Sequence, residues 1–151
     1  LTGVRYRGIS STGRPYEITA EQAQEAQDGS ENVDMVLPKA TITSRDGGKV
    51  NLRSNHGVFN KGSNRIDLAG DVVVIQHGHS LRLDTEALHA NLKSGEMYSN
   101  APIEAKDTNR QINASSMRVY NSGQRIVFKG NAKMVIRSEP SNVALNIEIK
   151  S

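Results

Sequence analysis

From Lys49 onward, apolar residues of this chain recur on every second position, broken at short intervals by glycine-bearing turns. Successive side chains of an extended backbone point to opposite sides, so this spacing predicts strands with one buried and one wetted face. In "NRIDLAGDVVVIQ", residues 64–76, Ile66, Leu68, Val72 and Val74 share a face with Gly70 set between them. "SLRLDT" pairs Leu81 with Leu83, "EMYSNAPIEA" aligns Met97, Ala101 and Ile103, and "RQINAS" aligns Ile112 with Ala114. "QRIVFKGNAKMVI" places Ile126, Phe128, Met134 and Ile136 around Gly130, and "NVALNIEIK" alternates through Val143, Leu145, Ile147 and Ile149. Turn signals separate these runs: "DGG" at 46–48, "NKGSN" at 60–64, "QHGH" at 76–79, "KSG" at 93–95 and "NSGQ" at 121–124.

Upstream the pattern is thinner. "RPYEITA" alternates through Tyr16, Ile18 and Ala20 and predicts a short strand. "EQAQEAQDGSEN" has no apolar stripe and reads as an exposed connection, while "MVLPKATITS" reads as one strand with Pro38 near its start, where a lost donor is tolerated. Residues 1–12 are polar and Gly/Ser-rich and are expected to be mobile. No segment requires a helix. The expected fold class is all-β.

A repeat runs through the pattern. "FNKGSNRIDL", "LKSGEMYSNAP" and "YNSGQRIVFKG" each pass from an apolar residue through a glycine turn into a strand, and Gly62, Gly95 and Gly123 lie about thirty residues apart. A hairpin cannot bury its apolar face alone, so stacked hairpins must share an interior. A β-solenoid and a two-sheet roll both satisfy that requirement. Gly70 and Gly130 then read as bulges or kinks that curve their strands.

Composition narrows the options. A length of 151 residues suits one domain with a real core, and 36% hydrophobic residues with no Trp fits a β-rich protein better than a dense helical one. The net charge of +3 is spread along the chain and marks no partner. Without cysteine there are no disulfides and no thiolate-bound metals. His77 and His79 flank Gly78 without a third ligand nearby, the mark of a solvated hairpin tip more than a metal site. Asp67, Asp71, Asp84 and Glu86 would offer a glycosidase its carboxylate pair, but they fall on polar strand faces or beside turns. There is no nucleophile elbow, no phosphate-binding loop, and no basic cluster interleaved with aromatics. No catalytic residue, metal or cofactor is expected, and no nucleic-acid partner.

The ordered set "GRPYEITAEQAQ", "VNLRSNHGVFNKGSNRIDLAGDVVV", "LRLDTEALHANLKSGEMYSNAPIEA" and "INASSMRVYNSGQRIVFKGNAKM", spanning 13–137, resembles the LptC family of the lipopolysaccharide-export machinery. Each piece alone is a turn-and-strand pattern; their order carries the likeness. The resemblance implies an open, V-shaped β-jellyroll of two antiparallel sheets of the OstA-like superfamily, over residues 13–137, with 138–151 an extra strand or tail. It implies a periplasmic domain anchored to the inner membrane by one helix upstream of Leu1. It further implies lipopolysaccharide as ligand, and the LptF, LptG and LptB transporter complex and LptA as partners.

Strand parity under that resemblance turns Ile42, Leu52, Phe59, Ile66, Leu68, Val72, Val74, Leu81, Leu83, Met97, Ile103, Ile126, Phe128 and Met134 toward lipid. Ala101 and Ala114 would leave room for it. Gly13, Tyr16 and Ile18 would mark the edge joined to LptF, and Gly130, Met134 and Ile136 the edge joined to LptA. A bulky side chain at Gly13 or Gly130 is expected to disturb docking more than folding. The alternatives are a soluble LptA-like bridge protein, a structural β-repeat or adhesin domain with a dry core, and a polysaccharide-acting enzyme.

Overall fold

The computed structural model of the chain describes residues 2–43, 47–120, 125–136 and 146–150. Among them the backbone forms fifteen strands and one 3-10 turn at His77–His79. The first six are β1 (Thr2–Ile9), β2 (Pro15–Glu25), β3 (Asn32–Val36), β4 (Lys39–Thr43), β5 (Lys49–Arg53) and β6 (His56–Asn60). β7 (Arg65–Gln76) and β8 (Leu81–Asn91) follow, then β9 (Met97–Ser99), β10 (Ile103–Lys106), β11 (Arg110–Ala114) and β12 (Ser116–Tyr120). β13 (Arg125–Lys129), β14 (Lys133–Ile136) and β15 (Asn146–Lys150) complete the set. All pairings are antiparallel except β13 with β15. The "NSGQ" turn with Gly123, and Val143 and Leu145 of the last alternating run, lie outside the described residues.

The strands form one hydrogen-bonded sheet that is creased along a line. β2 pairs with β4 over Tyr16–Thr19 and with β3 over Gln22–Glu25. β7 pairs with β6 up to Ala69 and with β5 from Val73, and β8 pairs with β10 before Thr85 and with β9 after Leu88. The shorter strands stop at the same line, where Leu37, Asp71 and Asn131 have positive φ along with Gly70 and Gly130. Backbone bonds tie neighbouring breaks together: Leu37 N–H donates to Asn55 O and Asn55 N–H to Gly70 O, both at 2.9 Å, and Ser115 N–H to Gly130 O at 2.8 Å. The first flank therefore runs β2–β4–β5–β7–β8–β10–β11–β14, and the second β2–β3–β6–β7–β8–β9–β12–β13–β15.

Two expectations are corrected and a third segment gains structure. Thr2–Ile9, within the segment expected to be mobile, forms a strand that pairs along β2 from Gln22 to Pro15. Its half-buried Val4 and Tyr6 pack on the core, Tyr6 with its ring 5.5 Å from that of Phe59. The stretch after Ala20 continues β2 to Glu25, and Ala20 and Ala23 are both buried. Crossing the crease shifts the alternation by one position there, which removes the apolar stripe from view. "MVLPKATITS" is two strands, since Leu37 at φ 52° and Pro38 break it at the crease.

Candidate functional site

Of the fourteen side chains expected to face lipid, thirteen are buried in one apolar cluster drawn from both flanks. Met134 departs from the set: it is 38% exposed, on a strand whose four residues are all exposed. The positive-φ pair Gly130 and Asn131 ends β13 and re-aims the chain, so parity counted from Phe128 no longer holds at Met134. Ala114 is buried in the cluster and Ala101 is half-buried at the crease.

A cleft of about 30 Å³ opens at the mouth, where the margins of the two flanks meet opposite the crease. The first flank contributes Ile42, Val50, Val74, Gln76, Leu81 and Leu83, and the second Gly95, Met97, Val119 and Ile126. Val50, Val119 and Gln76 are not among the expected residues. The alternation in "KVNLR" and "SMRVY" carries the two valines, whereas Gln76 has no apolar signal and is found through its in-phase spacing from Val72 and Val74.

Toward β1 the mouth is clasped. Ser11, in the turn from β1 to β2, donates its backbone N–H to Lys93 O at 2.7 Å, across to the turn between β8 and β9. The buried Tyr16 hydroxyl donates to Asn64 Oδ1 at 2.6 Å, again from first flank to second. Burial pushes the Tyr16 phenol above its ordinary pKa.

The large concavities lie elsewhere. Two grooves of about 1060 and 700 Å³ run over the outer face, lined by charged and polar side chains including Glu21, Arg53, Asp84, Gln24 and His56. They are bigger than the cleft, but their walls mix charged groups with apolar side chains such as Leu37, Pro38 and Val73, whereas the walls of the cleft are apolar apart from Gln76.

Of the candidate catalytic carboxylates, Asp71, Asp84 and Glu86 line the larger groove and Asp67 the smaller. Asp67 meets His89 Nδ1 at 2.6 Å, Asp84 accepts both Nε and Nη2 of Arg82 at 3.0 Å, and Glu86 accepts the Asp71 N–H at 3.4 Å. His77 Nε2 contacts Asn51 Nδ2 at 2.8 Å. Among the described residues no three His, Cys, Asp or Glu side chains are grouped so as to hold a metal ion, and no helix is long and apolar enough to cross a membrane.

The strand edges also differ from expectation. Tyr16 and Ile18 do not form an early edge: β2 is paired on both sides, Tyr16 facing Gly8 and Ile42, and Ile18 facing Tyr6 and Ala40. The free edge belongs to β1. Gly13 sits in the turn before β2 at φ 78°, and a methyl group added there would have nothing within 4 Å, whereas one added at Gly130 would fall 2.8 Å from Ser115 Cβ. Gly130 is therefore constrained by the fold itself, so a side chain there bears on folding as well as on any docking at that edge. At the other end, among the described residues β14 pairs with β11 alone, and it exposes Val135 (59%) and Ile136 (54%). β13 is covered by β15, whose Glu148 accepts Arg125 Nε at 2.8 Å.

No curated protein matches the chain at a significant level. The family described as "Lipopolysaccharide-assembly, LptC-related" matches it over residues 1–137.

Proposed function

The chain belongs to the LptC-related lipopolysaccharide-assembly family, whose role is non-catalytic transport, and on that premise we propose that its creased sheet is an open β-jellyroll carrying lipid acyl chains between its flanks. The observation that supports this most is the apolar interior shared by both flanks, which reaches the mouth through a cleft with apolar walls. The hairpin unit of about thirty residues is read as two crossings of the crease.

Size sets a condition on loading. The cleft, about 30 Å³, matches the share of one water in the liquid, while small-molecule sites take about 300–1,000 Å³. Acyl chains therefore enter only as the flanks part at the mouth. The gain is large: about 0.8 kcal/mol per methylene, or about 9 kcal/mol for a chain of about twelve carbons.

Hand-off would use the edges. The free edge of β1 would take a strand of the LptF jellyroll, and the β14 edge a strand of LptA, with main-chain bonds supplying affinity. Lipopolysaccharide would arrive from the LptF, LptG and LptB complex and leave to LptA, in the periplasm, with the full-length protein held to the inner membrane by an amino-terminal helix.

Photo-crosslinking tests the reading. A benzophenone side chain at Ile126, and one at Phe128, should yield lipopolysaccharide adducts in cells, while one at the exposed Lys129 should not. Absence of adducts at both inward positions, with the β circular-dichroism spectrum intact, would leave a structural domain with a dry core.

A further inference from the structure

Gln76 ends β7 in phase with Val72 and Val74, so its side chain turns into the interior, and it is 7% exposed. No described residue forms a hydrogen bond with its carboxamide, although it stands among Val50, Val74 and Leu81 in the cleft. The carboxamide keeps contact with solvent at the mouth, since among the described residues the one fully buried side-chain polar atom without a hydrogen-bond partner is Glu17 Oε1, and a ligand acceptor arriving there would replace that water. The residue also lies at the margin of its flank, beside the His77–His79 turn, where the apolar interior gives way to solvent.

A bound amphiphile with its hydrocarbon between the flanks would place its acyl linkage at this margin. We infer that Gln76 is a specificity-determining residue whose Nε2 donates a hydrogen bond to the ester or amide carbonyl of an acyl-linked lipid. The inference rests on the carrier reading above. It separates acyl-linked amphiphiles from alkyl ones, a distinction that apolar walls cannot make.

The test is a matched pair of probes, monododecanoyl glycerol and 1-O-dodecyl glycerol, titrated calorimetrically against the 151-residue chain. The wild-type chain should prefer the ester by about fivefold, as one net hydrogen bond gives. Gln76→Leu should lose the preference while binding the ether at least as well, and should unfold no earlier than wild type. Gln76→Asn, which keeps the amide but withdraws it by one carbon, should fall between the two and serves if the leucine variant does not fold. Equal binding of the two probes by wild type, or an undiminished preference in Gln76→Leu, overturns the role of Gln76 and leaves the carrier reading standing. Binding of neither probe by any variant overturns the carrier reading and this inference with it.

Discussion

Alanine at Gly130, at Gly70 and at Gly13 separates backbone strain from steric conflict, because all three have φ near 80°. An L side chain in that region costs about 1–2 kcal/mol, and removing glycine from the unfolded chain returns about 0.4–1 kcal/mol. Gly13→Ala, with open space around it, should therefore lose no more than about 1.6 kcal/mol. At Gly70 the new methyl meets the Asn55 side chain at 3.2 Å, and that exposed side chain can yield. At Gly130 it meets Ser115 Cβ at 2.8 Å and Oγ at 3.1 Å, on a backbone held by the bond from Ser115 N–H to Gly130 O. Overpacking of this kind adds about 1–3 kcal/mol, for a total of about 1–4.6 kcal/mol. Urea titration reads the series: with a slope of about 2 kcal/mol/M, the midpoint should fall by about 0.5–2.3 M for Gly130→Ala and by at most about 0.8 M for Gly13→Ala. Introducing Ser115→Gly should relieve the Gly130 penalty in a double-mutant cycle. Equal midpoint shifts for Gly130→Ala and Gly13→Ala, or additive effects in the cycle, would refute the steric argument.

Three further outcomes follow from individual contacts. Burial works against ionisation of Asp107, but hydrogen bonds from the Arg110 side chain and from the Asn109 and Arg110 N–H groups outweigh it and hold its pKa below the usual value. Its contribution is present above about pH 4 and is lost as pH falls through the lowered folded value. Asp107→Ala should thus cost about 1–3 kcal/mol at neutral pH and less in acid, as thermal melts across pH will show. The raised pKa of Tyr16 has the opposite sense. Stability from its protonated phenol is complete below about pH 10 and disappears as pH rises through the raised folded value. Tyr16→Phe should lose about 0.5–1.5 kcal/mol at neutral pH and show a smaller alkaline loss than wild type. Removing residues 138–151 uncovers the β13 edge and should leave the spectrum of a β protein but produce concentration-dependent association by light scattering; a strictly monomeric truncation would deny β15 a covering role.

What could be read in the sequence was the parity, and what could not was the crease. Ile66, Leu68, Leu81 and Leu83 lie within uninterrupted alternation, and all are buried. Where a strand crosses the crease its phase slips: burial passes from Ala20 to Ala23 on β2 and from Thr85 to Leu88 on β8. Gly70 and Gly130 advertise that line, but Leu37, Asp71 and Asn131 take positive φ there without a residue type that announces it. β1 was hidden for another reason. Its apolar residues are few, and the need for glycine at Gly8 shows only against the Tyr16 ring, which a methyl there would overlap. Parity also sorts side chains into inner and outer without saying how far the flanks stand apart. The cleft, the clasp from Ser11 to Lys93 and the position of Gln76 depend on pairings between residues distant in sequence.

The arrangement of bonds makes the mouth the part of the sheet that can yield. At the crease, β2, β7 and β8 continue across, β7 through a bulge at Gly70 and Asp71, and the breaks beside them are joined by backbone bonds. At the mouth, the hydrogen bonds described between the flanks are those of the clasp, from Ser11 to Lys93 and from Tyr16 to Asn64. Hydrogen bonds contribute about 0.5–1.5 kcal/mol each, so releasing the clasp costs a few kcal/mol, in addition to the work of separating the apolar walls of the cleft. One acyl chain of about twelve carbons offers about 9 kcal/mol and gives the separated walls a new apolar surface to pack against. Filled and closed forms can then share every strand pairing and differ in side-chain packing at the margin. On the proposed carrier reading, the crease would be where the flanks hinge, and because the clasp places the tighter end beside β1, parting would proceed more readily toward β13 and β14, where the exposed edge lies.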